Sequence, residues 1–193
     1  MKKYILILTA IVALSNTACR KIETDGQIQV VTINTGGGGG GSTTGQTITV
    51  SGRITADTTF RKGNTYVLRG LVYIANNKTL TIEAGTVVKG SFSGADVAAL
   101  IITRGAKLVA NGTANEPIVF TSASPNPQSG DWGGIIICGK APINTSFNGT
   151  AGLFEVEGGV NNASGDGLAG SGDAVVPTPV SDDSSGVLRY VRI

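Results

Sequence analysis

There is no histidine anywhere in the sequence. That removes imidazole acid–base catalysis, histidine metal ligation and the usual pH switch near neutrality. Aromatic residues are scarce, at 5%, and charged residues make up only 15%. With 40% of the chain hydrophobic, low charge argues against a wholly disordered polymer. Basic excess is missing too: with Lys2 and Lys3 set aside, 13 basic residues face 13 acidic ones. No basic field points to nucleic acid. Leucine-rich helical patterning is also absent. What is abundant is glycine, 29 residues, together with threonine, valine and isoleucine, a composition that reads as all-β with many tight turns. A chain of 193 residues is long enough for one domain with a real core.

The N-terminus reads "MKKYILILTAIVALSNTAC". Two lysines, an apolar run from Tyr4 to Leu14 and then small residues have the order of a secretory signal, here residues 1–18. The run is shorter than the roughly 20 apolar residues that span a bilayer. Cys19 stands where a bacterial lipoprotein carries its lipidated cysteine, with Ala18 and Thr17 suiting the two positions before it. Asn16 departs from the aliphatic residue usual in that motif, and ordinary cleavage after Ser15 is the competing reading. Glu23 and Asp25, shortly after the cysteine, resemble the surface-export signal of Bacteroidetes-type lipoproteins. The expectation is a lipid-anchored protein of the outer membrane, exposed at the cell surface.

Six consecutive glycines follow within "NTGGGGGGSTTG", residues 34–45. Glycine loses the most backbone entropy on ordering, so such a run separates rather than folds. Residues 19–46 are read as a flexible tether, whose root-mean-square reach is roughly 30 Å.

Beyond it, "LTIEAGTVVKG" from Leu80 and "LIITRGAKLVANG" from Leu100 share the pattern L-x-I-x-x-G-x-x-(V/L). Leu80 aligns with Leu100, Ile82 with Ile102 and Gly85 with Gly105, each at an offset of twenty. A looser copy places Val67, Gly70 and Tyr73 at the same spacing. Self-similarity of this kind signals a solenoid. Glycine corners this close leave no room for ordinary helices, so the unit is a coil of short strands stacked in parallel sheets, right-handed by the crossover rule. An antiparallel sandwich also uses short strands, but it does not predict the repeat.

The segments "NNKTLTIEAGTVVKG", "ALIITRGAKLVANGTANEPIVFTSA", "DWGGIIICGKA" and "SSGVLRYVRI" resemble the repeated blocks of Bacteroidetes-type surface lipoproteins with a right-handed parallel β-helix, the architecture also seen in pectate-lyase-like proteins. The resemblance implies a β-helix over residues 47–193. Because "YVRI" ends inside a strand pattern, the helix is expected to be incomplete at its C-terminus.

Residues 158–186 read as a loop-rich acidic insertion. Asp166, Asp173, Asp182 and Asp183 are candidate Ca²⁺ ligands, Ca²⁺ being the one cofactor considered. Their spacing matches no EF-hand or nonapeptide calcium repeat, and a solvated insertion is the plainer reading. Asp131 and Trp132 are candidate ligand contacts: an indole beside a carboxylate suits a sugar ring, while a tryptophan at a corner more often packs. Glu155 and Glu157 are a candidate carboxylate pair for glycoside hydrolysis, but their i, i+2 spacing puts both on one strand face, too close to flank a substrate unaided. Polysaccharide lyases of the resembling architecture use acidic calcium ligands with an arginine or lysine base, for which Arg69, Arg104, Arg189 and Arg192 are available. No catalytic residue is assigned. Cys138 reads as an inert buried thiol, or, if Cys19 carries no lipid, as its disulfide partner. The reading that results is a non-catalytic surface scaffold for adhesion or glycan contact, whose partners are the membrane, through the anchor, and a polysaccharide or another surface protein. A polysaccharide lyase or hydrolase is the alternative.

Overall fold

Parallel pairing organises the chain. The computed structural model describes residues 29–34, 45–94 and 97–193. The signal segment, Cys19 and the glycine tract lie outside the described residues. No helix occurs among the described residues.

Two long strands bend and thereby start two faces each. β2 (Thr47–Ile54) shifts register at Ser51/Gly52, and β4 (Thr65–Ile74) turns at Gly70, whose φ is +61°. The first half of β4 pairs with β6 (Val87–Gly90), and its second half pairs with β7 (Ala99–Ile102). The first face is therefore β2–β4–β6–β9–β16, where β9 is Ile118–Ser122 and β16 is Val191–Arg192. The second face stacks the far halves of β2 and β4 under β7 and β10 (Ile135–Ile137). The third is β3 (Thr58–Phe60), β5 (Thr79–Ile82), β8 (Lys107–Asn111) and β15 (Gly186–Arg189). Following the chain, the faces recur in the order first, second, third: a parallel β-helix of three-sided coils.

Alternation within each strand sends every second residue inward. Tyr66, Val88 and Phe120 are register neighbours on the first face, and all are buried. Val72 and Leu100 stack on the second face, and Leu80 and Leu108 on the third. Each fully buried aliphatic side chain contributes about 1.5–3 kcal/mol relative to exposure, so the stack is the main source of stability. Near the first coil, the Phe60 and Tyr66 rings stack with centroids 4.0 Å apart, and the Tyr66 hydroxyl accepts the Arg61 N–H at 2.7 Å.

The twenty-residue register read from the sequence is not the coil register. Leu80 pairs with Leu108 and Ile82 with Ala110, whereas Leu100 pairs with Val72 and Ile135. Leu80 and Leu100 lie on different faces. The shared motif marks corners rather than coils: Gly70, Gly85 and Gly105 have φ of +61°, +78° and +81°, and each turns the chain between a different pair of faces. Coil length varies as well, from 18 residues at Thr47↔Thr65 to 35 at Leu100↔Ile135, and to 78 at Leu108↔Gly186, where residues 139–185 intervene.

The stretch read as tether also contains a strand. β1 (Gln29–Asn34) runs antiparallel along β2, with Gln29 opposite Gly52 and Asn34 opposite Thr47. β1 satisfies the edge of β2, whose backbone groups otherwise face solvent.

Candidate functional site

Between β10 and β15 the chain leaves the helix over residues 139–185 and returns in register, with Gly186 beside Leu108. This excursion begins earlier than the insertion read from residue 158, and it has structure of its own. β11 (Ser146–Phe147) pairs with β12 (Thr150–Ala151), and β13 (Leu153–Glu155) with β14 (Leu168–Gly170). It folds back on the outer side of the second face, where Tyr73, Ala99, Ile101, Cys138 and Val160 form a separate buried cluster.

Three of the four candidate calcium ligands pin this excursion. Arg53 donates to Asp166 through Nε at 3.0 Å and Nη2 at 3.2 Å, and Asn162 adds a bond at 2.9 Å. Arg104 donates bidentately to Asp173 at 3.0 and 2.6 Å, and to the Gly170 carbonyl at 3.4 Å. Asp183 closes the neck: one oxygen accepts the Lys140 backbone N–H at 2.8 Å, and the other lies 3.6 Å from its ammonium. Asp182 is exposed. The structure thus gives these aspartates separate partners, and among the described residues no group of three or more acids or thiols gathers where one ion can be held. Arginine hydrogen bonds hold the Asp173 carboxyl below the usual carboxylate range.

The remaining candidates are placed as follows. Glu155 accepts a bond from Asn161 at 2.8 Å, while Glu157 is exposed. Arg104 is only 3% exposed and committed to Asp173, which removes it as an available base. Cys138 is a free, buried thiol, pushed up to about 11 by desolvation, against the opposing pull of Arg104. Burial and the Asp166 charge likewise raise Tyr73, whose hydroxyl donates to the Val160 carbonyl at 2.7 Å. Nothing local foretold Arg53 and Arg104 as anchors, since their partners lie 113 and 69 residues away in the chain.

Trp132 and Asp131 come together at a different place. Between β9 and the start of β10 the chain forms a loop, and Trp132 turns back onto Gly90. The indole packs against the main core and also lines an open cleft of about 430 Å³. That volume falls in the range of about 300–1,000 Å³ typical of small-molecule sites. Its other walls include Thr121, Ser122, Gln128, Ser129 and Ile193. Asp131 holds the loop in shape: it accepts the Gln128 N–H at 3.0 Å, and the Ser122 hydroxyl, foremost, keeps its carboxyl below the usual range. Trp132 thus both packs on the core and borders a cleft.

No curated protein and no solved structure matches the chain. The model of the pectate-lyase-like β-helix domain matches residues 52–193, most of the length, in agreement with the stacked parallel coils, and the chain belongs to that family.

Proposed function

We propose that this protein is a non-catalytic β-helix scaffold that contacts glycans at the cell envelope, tethered there through lipid on Cys19. The observation that carries the reading is the cleft beside Trp132, which offers one indole surface among neutral hydroxyl and amide groups. Such a mixture suits a sugar, which has apolar C–H faces and polar rims. The non-catalytic part is supported by the state of Arg104, the candidate base that Asp173 of the excursion occupies. The anchor rests on the N-terminal sequence, with a leader that ends at Cys19.

The test uses the single tryptophan as its own reporter. Oligosaccharides titrated onto the purified chain are expected to quench or blue-shift its emission, and polysaccharide-containing native gels are expected to retard it. Trp132→Phe, which removes the reporter, should weaken the gel retardation without unfolding the chain. Absence of any response across neutral and acidic glycans would remove the glycan reading. Release of new reducing or unsaturated ends would replace the scaffold by an enzyme.

A further inference from the structure

We propose that the Trp132 cleft selects neutral sugar units and disfavours uronates. This rests on the glycan-contact reading and adds the charge class of its ligand. The lining contains no charged side chain: its polar groups are Thr121, Ser122, Gln128 and Ser129, beside Trp132 and Ile193. Among the described residues the hydroxyls of Thr121 and Ser129 have no hydrogen-bond partner, so both remain available to a ligand. Gln128 donates its amide Nε2 to the Pro127 carbonyl at 2.9 Å, which leaves Oε1 as an acceptor. These groups match the donors and acceptors of sugar hydroxyls.

A uronate needs more. Its carboxylate is recognised well by a guanidinium fork or an ammonium, and no such group lines the cleft. The charge that does sit beside it has the wrong sign. Asp131 is next to Trp132 in the chain and bonds to two cleft residues, Ser122 and Gln128. Those bonds also favour its ionised form, so the loop that carries the indole brings a negative charge close to the cleft. The arginines that are built for carboxylates, Arg53 on the second face and Arg104 at the corner after β7, already hold Asp166 and Asp173.

The experiment titrates the full chain, at low and at high salt, with neutral oligosaccharides (gluco-, manno-, xylo- and galacto-series) and with oligogalacturonates, following Trp132 emission. Neutral ligands are expected to bind about tenfold or more tighter than uronates at low salt, with the gap narrowing as salt screens Asp131. Asp131→Asn keeps the oxygen that accepts the Gln128 N–H and should close most of that gap by improving uronate binding. Gln128→Ala, at an exposed position, should weaken neutral binding several-fold at unchanged melting temperature. Uronates binding as tightly as neutral sugars, or an unchanged gap in Asp131→Asn, would overturn the selectivity while leaving glycan contact in place. Binding of neither class would instead overturn the glycan reading itself.

Discussion

Gly90 of β6 and Trp132 of the β9–β10 loop are complementary: a Cβ built on Gly90 would run into the indole ring. The glycine sits at an inward register position, between Leu68 and Ser122, and the ring occupies the space its missing side chain leaves. Its backbone is not in the left-handed region, so alanine is conformationally allowed there and the penalty is steric. Gly90→Ala is expected to cost about 1–3 kcal/mol, the range for overpacked cores. Pairing it with Trp132→Leu should recover part of that loss in a double-mutant cycle read by thermal melting. A Gly90→Ala chain that melts with the parent would contradict the packing.

The coil register admits a chemical test. Thr81 and Val109 are partners on adjacent parallel strands, about 4.8 Å apart. That separation lies within disulfide reach. In a chain carrying Cys19→Ser and Cys138→Ser, cysteines at 81 and 109 should cross-link on mild oxidation, seen as a mobility shift reversed by reductant. Cysteines at 81 and 101, the pair that a twenty-residue coil would stack, should not. The opposite pattern would restore the sequence-derived repeat.

Docking of the excursion depends on the Arg104–Asp173 pair, in which the arginine is 3% exposed. Asp173→Asn leaves a buried guanidinium without its counter-charge, and the loss is expected to be roughly 3–5 kcal/mol, felt mainly in residues 139–185. Acid should act in the same direction. The folded carboxyl titrates below its unfolded value, chiefly through the Arg104 hydrogen bonds. Its contribution is therefore complete above the ordinary carboxylate range, near pH 4, and fades as pH drops through the folded value. Amide protection factors measured across acid pH should fall first in the excursion and later in the coils. Simultaneous loss everywhere would mean that the pair does not govern docking.

The anchor makes its own prediction. Cys19→Ser should move the protein from the membrane pellet to the soluble fraction, and the mature wild-type chain should begin at an acylated Cys19. A Cys19→Ser chain that still sediments with membranes, or a mature N-terminus at Asn16, would end that part of the proposal.

Legibility differed from element to element. The strand-type alternation of Leu80 and Ile82, and of Leu100 and Ile102, was readable because inward residues of a stacked strand recur at every second position. Gly70, Gly85 and Gly105 were readable as corners because a left-handed backbone is cheap only for glycine. Which corner each one makes was not. All three corner types share the same requirement, so strands of different faces carry the same motif, and their spacing imitates a period. The pairing of Trp132 with Gly90 left no local signal either, since neither residue is unusual until the other is beside it.

Composition, alternation and glycine placement by themselves determined that this chain builds stacked parallel strands around an aliphatic core, because those constraints act within a few residues of backbone. Tertiary structure alone decided that Leu80 rests on Leu108, that Asp166 and Asp173 are spent on Arg53 and Arg104, and that Trp132 closes over Gly90 at the edge of a cleft. Each of those contacts joins residues 28 to 113 positions apart, brought together by coils of unequal length. Where a coil of 18 residues is followed by longer ones, the position of a side chain is set by the accumulated lengths of all the turns before it, and no local pattern records that sum.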